Sequence, residues 1–135
     1  MRKPIAHVID DDAAVRASVR LLLKGGGIEA RPYASAEAFL REATPSDDSC
    51  LIIDVDMPGI DGLELLAQLR ANGVNTPAIV TTGAGITGSL VSAIKRFDAM
   101  LLEKPFLPGE LLSSVKRALG HFLSVAALDL AVYFA

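Results

Sequence analysis

CLIIDVDMPGIDG, residues Cys50–Gly62, decides how the rest of the chain is read. Leu51-Ile52-Ile53 is a short continuous apolar run, the pattern of a strand covered on both faces of a sheet. The run stops at Asp54, and Pro58-Gly59 breaks regular structure just beyond it. A carboxylate at the carboxyl end of a buried strand, followed by a turn-rich loop, falls where open α/β sheets bind ligands. Alone, such an Asp would do no more than open a surface loop. The flanking sequence argues for more.

On the N-terminal side, Ile5–Ile9 is a second apolar run, and it ends on Asp10-Asp11-Asp12. Val15, Val19, Leu22 and Leu23 then recur at helical spacing, with Asp11 or Asp12 as cap and Gly25-Gly26-Gly27 as stop. Ile28–Tyr33 reads as a less apolar strand near a sheet edge, and Ser35 opens a short helix to about Glu42. On the C-terminal side, Asp61 and Glu64 have capping-box spacing ahead of a helix over Leu63–Ala71, closed by Asn72-Gly73. Ala78–Thr82 is a further strand, followed by a glycine-broken loop and a helix over about Ser89–Phe97. Met100–Leu102 is a fifth strand, and Pro108 with Glu110 starts a last helix through Leu119.

Five β-α units, joined by connections too long for hairpins, predict a parallel sheet with helices on both faces. The expected architecture is α/β: a doubly wound five-stranded parallel sheet of order 2-1-3-4-5 in one domain, residues 1–120. An apolar tail over 121–135, HFLSVAALDLAVYFA, is expected to continue the last helix. At 135 residues the chain can bury a real core, and 51% apolar with 21% charged residues describes a soluble globular domain. A net charge of −3 and a pI near 5.3 leave no basic patch, so direct nucleic-acid binding is not expected. Cys50, the single cysteine, rules out an internal disulfide and reads as a small core residue. The N-terminus lacks the apolar core of a secretory signal, and Asp129 with the tail's short length argues against a membrane span. The expected compartment is the cytoplasm.

In a sheet of order 2-1-3-4-5, strands one and three flank the switch point. Asp10, Asp11 and Asp54 therefore meet at one rim, and Thr82 and Lys104, ending strands four and five, come to the same rim. Clustered carboxylates repel by roughly a few kcal/mol per pair at an effective dielectric near 20. Lys104 alone does not balance them, and all-oxygen ligands favour a hard divalent cation such as Mg²⁺. Thr82 and Lys104 can contact phosphoryl oxygens, and Asp54 is placed to attack phosphorus. Asp12 reads as a helix cap rather than a ligand.

With VIDDD, LIIDVDMPGIDG, IVTTG and LLEKPF, and SAEAFL and GLELL between them, the chain from residue 4 to about 119 resembles the response-regulator receiver domain. It is similar to the FixJ-type subgroup of the CheY-like superfamily, whose fold is flavodoxin-like. The resemblance implies Asp54 as phosphoacceptor and Asp10 and Asp11 as metal-site acids, with the backbone carbonyl of Asp56 as a further Mg²⁺ ligand. It implies Thr82 as the hydroxyl that senses the phosphoryl group, Lys104 as its ion-pair partner, and a cis Lys104-Pro105 bond. The implied partner is a histidine kinase or histidine phosphotransfer protein. Separately, the apolar stripe Leu119, Phe122, Leu123, Ala126, Leu130 and Val132 of the last helix and tail predicts a homodimer with a second copy of the chain. The module is then a signalling phosphoacceptor and not an enzyme.

Departures from the family pattern are Leu101 where an aromatic is usual, Phe97 where a glycine is usual, and GAGITGS after Thr82. Asp56 and Ala84, two residues past Asp54 and Thr82, are expected to flank the phosphoryl group. Two readings compete. Asp54-Val55-Asp56 mimics the nucleophile motif of haloacid-dehalogenase-type phosphatases, but Pro58 stands where that motif needs Thr or Val. A receiver-like interaction domain that is never phosphorylated is the other.

Overall fold

The computed structural model describes residues 3–46 and 48–120. In them β1 (Ile5–Ile9), α1 (Ala13–Gly25), β2 (Glu29–Tyr33), α2 (Ala36–Glu42), β3 (Ser49–Asp54) and α3 (Gly62–Ala71) alternate. They are followed by β4 (Ala78–Thr82), α4 (Gly88–Arg96) and β5 (Met100–Glu103), and by α5 over 108–120. All pairings are parallel and the order is β2-β1-β3-β4-β5, the doubly wound sheet expected from the sequence. Strand β2, with Glu29, Arg31 and Pro32, lies at an edge, where charge and proline discourage pairing with another chain.

Strand alternation divides the core into two layers. Ala6, Val8, Cys50, Ile52, Ile79 and Leu102 lie under α1 and α5, which contribute Val19, Leu23, Leu111 and Val115. Ile9, Leu51, Ile53, Ala78 and Val80 face the other way, beneath Phe39 of α2, Leu65, Leu66 and Leu69 of α3, and Leu90 of α4. Every residue of β3 is buried, so Asp54 ends a strand that has no solvent face. Burial pushes the Cys50 thiol up to about 12, which leaves it a core residue without reactivity.

Helix ends follow the capping chemistry. The Asp12 carboxylate accepts the Ala14 and Val15 N–H groups, so Asp12 is the cap and Asp11 is left for the rim. Asp61 accepts from the Glu64 N–H at 2.9 Å, starting α3 at Gly62, one residue earlier than expected. Likewise α4 begins at Gly88 because the Thr87 hydroxyl accepts from the Leu90 N–H. It ends at Arg96, and Phe97 is its C-cap with φ −98°. The left-handed residue ahead of β5 is Asp98, φ 52°, so Phe97 does not carry a glycine's conformation. Leu101 packs half-buried on the layer beneath α2, α3 and α4. Among the described residues no helix is long and apolar enough to cross a membrane. The tail expected over 121–135 lies outside the described residues.

Candidate functional site

The carboxyl ends of β1, β3, β4 and β5 share one rim, and the side chains they deliver form a compact polar cluster. Carboxylate oxygens of Asp10, Asp11 and Asp54 all lie within 4.8 Å of one another. Asp10 and Asp54 are buried, at 3% and 5% exposure, while Asp11 opens to solvent. Lys104 Nζ lies 2.8 Å from Asp10 Oδ2 and 3.6 Å from Asp54 Oδ1, reaching across from β5. The Lys104-Pro105 peptide is cis.

Burial, then the Asp10 charge, raises the Asp54 carboxyl above the ordinary carboxylate range, outweighing the Asp56 N–H and the Lys104 charge. Burial alone would lower the Lys104 pKa, yet its bond to Asp10 and the charges of Asp10 and Asp54 leave it raised. The fold therefore favours protonated Asp54. This contribution is fully present below the unfolded carboxylate value and is lost as pH rises through the folded one. Asp54→Asn keeps the shape without the charge. In metal-free buffer at pH 7 it is expected to stabilise by roughly 1 kcal/mol, about 4 °C in Tm. The gain should shrink as pH falls through the carboxylate range. Thermal melts read it, and a variant less stable than its parent at pH 7 would contradict the electrostatic explanation.

Asp56 is exposed, and its backbone N–H donates to Asp54 Oδ1 at 3.2 Å. Its carboxylate accepts from the Gly83 N–H at 3.4 Å, bridging the loops after β3 and β4. Thr82 is buried at the rim, but its hydroxyl is engaged locally, accepting from the Ala84 N–H at 3.3 Å and donating to the Gly85 carbonyl at 3.5 Å. The structure thus joins Asp10, Asp11, Asp54 and Lys104 directly, and holds Thr82, the last residue of β4, against the loop that follows it. Three contributors lie outside the rim residues singled out from the sequence. The Arg16 guanidinium holds the Asp10 carbonyl at 2.7 Å, Glu37 bonds the loop after β3, and Gly62 packs against the Asp54 backbone. Only the glycine left a signal, in the turn-rich loop. The other two are ordinary polar helix residues until the fold brings them in.

The donor set fits a hard divalent cation. It is all oxygen, two of its three carboxylates are buried, and one lysine does not balance them. Asp10, Asp11 and Asp54 are the side chains that could hold Mg²⁺.

This fold is a doubly wound α/β domain with acids and a lysine converging on the rim beside its switch point. The family model of the response regulator receiver domain matches residues 6–116, and the chain belongs to that family. It is a receiver domain of two-component response regulators, a signalling domain. The transcriptional regulatory protein FixJ of Azorhizobium caulinodans is 46% identical over 115 residues, 85% of this chain and 54% of that protein. FixJ of Rhizobium meliloti is 35% identical over 121 residues, 90% of this chain and 59% of that protein. The chain thus spans about half the length of the curated relatives it matches. The solved structure of FixJ-N superposes with a TM-score of 0.79 at 35% identity, covering 90% of this chain and 97% of that one.

Proposed function

We propose that the chain takes a phosphoryl group onto Asp54 from the phosphohistidine of a histidine kinase or histidine phosphotransfer protein. Mg²⁺ would be held by Asp10, Asp11, Asp54 and the backbone carbonyl of Asp56. The observation that carries this reading is the buried Asp54 carboxylate beside Lys104, backed by Asp10 and Asp11. One Asp54 oxygen forms the new O–P bond as the P–N bond breaks, and the bonding pair leaves with the donor imidazole. When bound, Mg²⁺ neutralises charge on the phosphoryl oxygens.

Lys104 exchanges its carboxylate partners for a phosphoryl oxygen. Thr82 gives up its bonds to Ala84 and Gly85 and donates its hydroxyl to another oxygen. Because those bonds hold the start of the loop after β4, their loss frees that loop to move. The signal leaves by that route, with Leu101 in place of a bulkier ring on the same side of the sheet. The same reading carries a cytoplasmic location and a homodimer through α5 and the apolar tail.

Incubation with acetyl phosphate and Mg²⁺, read by intact mass, tests the proposal against its competitors. A single phosphoryl adduct supports it, steady turnover of phosphomonoesters supports the phosphatase, and an unchanged mass supports the non-phosphorylated domain. The phosphatase reading is the weaker because Pro58 stands where its nucleophile motif needs Thr or Val.

A further inference from the structure

Loop 55–61 joins β3 to α3 and presents Asp56 to the rim. Backbone bonds secure its base: the Val55 N–H donates to the Thr81 carbonyl at 2.9 Å and the Gly62 N–H to the Val55 carbonyl at 3.2 Å. Met57 is buried beneath it. Its outer half is held by a residue from another part of the chain. Glu37, in the first turn of α2, accepts the Ile60 N–H at 3.0 Å across 23 residues of sequence. Gly59, at φ +75°, passes so close that a Cβ there would lie 2.7 Å from Glu37 Oε1. The Ile60 N–H, followed by Glu37's own N–H, draws this exposed carboxyl below its ordinary range.

We infer that Glu37 is a positioning residue for the rim, fixing the loop that carries the Asp56 carbonyl and the Asp56 N–H donor to Asp54. The inference rests on reading the rim as a Mg²⁺ and phosphoryl site. Glu37 does not touch that site. It acts through Ile60, four residues along the loop from Asp56. A tether at Ile60 restricts the conformations of 56–60, so less order has to be imposed when a ligand is bound.

The test is a Mg²⁺ titration of the full chain followed by amide NMR, with Glu37→Ala, Glu37→Gln and Gly59→Ala beside wild type. Glu37→Ala should weaken Mg²⁺ by roughly three- to tenfold, below the ~10–100-fold typical of groups bonded directly to a metal ligand. Its Ile60 amide should also exchange faster. Glu37→Gln keeps an acceptor oxygen and should bind within about twofold of wild type. Gly59→Ala, which strains the turn and displaces the carboxylate, should weaken Mg²⁺ as Glu37→Ala does. Wild-type affinity in Glu37→Ala, despite faster Ile60 exchange, would overturn the inference while leaving the site intact. Equal loss in Glu37→Gln and Glu37→Ala would also overturn it, pointing to long-range charge instead of the tether. A wild-type protein that binds no Mg²⁺ would instead sink the underlying reading of the rim.

Discussion

Gly62→Ala is expected to be among the most damaging single-methyl changes in the domain. A Cβ at this position would lie 2.3 Å from the Asp54 carbonyl oxygen, 2.8 Å from its carbon and 2.9 Å from Ile53 Cγ2. Two of those atoms are backbone of a fully buried strand, so no rotamer change relieves the clash. Overpacking typically destabilises by about 1–3 kcal/mol, and the forced movement of a central strand puts this case at the upper end. In a domain of this size that is a Tm loss of roughly 10 °C. The backbone displaced is that of Asp54 itself, so phosphoryl uptake should also fall at temperatures where the variant remains folded. Gly73→Ala is the control: its backbone is left-handed, φ +78°, but among the described residues nothing beyond its chain neighbours lies within 4 Å of its added Cβ. Similar melts for the two variants would show that the close approach at Gly62 is not what requires a glycine.

Lys104→Ala comes next, because it acts on stability and chemistry together. The ammonium bonds Asp10 at 2.8 Å and faces Asp54 at 3.6 Å, and both carboxylates are almost fully buried. Removing it leaves two like charges without their shared partner. Breaking a buried pair destabilises by about 3–5 kcal/mol, and Lys104 at 21% side-chain exposure belongs below that range, near ~2 kcal/mol. The deficit should appear in EDTA and shrink on adding Mg²⁺, which supplies the missing positive charge. Labelling by acetyl phosphate should stay slow even then, since one charge-assisted contact to the phosphoryl group is gone. A variant that melts like wild type in EDTA and labels at the wild-type rate would contradict both roles.

The sheet was legible because the apolar runs Ile5–Ile9, Leu51–Ile53 and Ala78–Val80 report burial on both faces, and the β-α order leaves few topologies. The rim was legible for the same reason. Once the order is known, Asp10, Asp54, Thr82 and Lys104 must share an edge. Helix starts were less so. Thr87 shows itself as a cap only when the chain is seen to turn there, and Gly88 is a poor helix former by propensity. What no sequence pattern carried was side-chain reach. Lys104 favouring Asp10, Thr82 bonding its own loop, Arg16 on the Asp10 carbonyl and Glu37 on Ile60 depend on distances set by packing.

The central claim is that Asp54 is the nucleophile, and locating the phosphoryl group tests it most directly. Wild type and Asp54→Asn would be incubated with acetyl phosphate and Mg²⁺, quenched, digested and mapped by peptide mass. The expected result is one acid-stable, base-labile adduct on the wild-type peptide containing Asp54, and none anywhere in Asp54→Asn. Labelling of Asp54→Asn at the wild-type rate, or a wild-type adduct on any other residue, would contradict it.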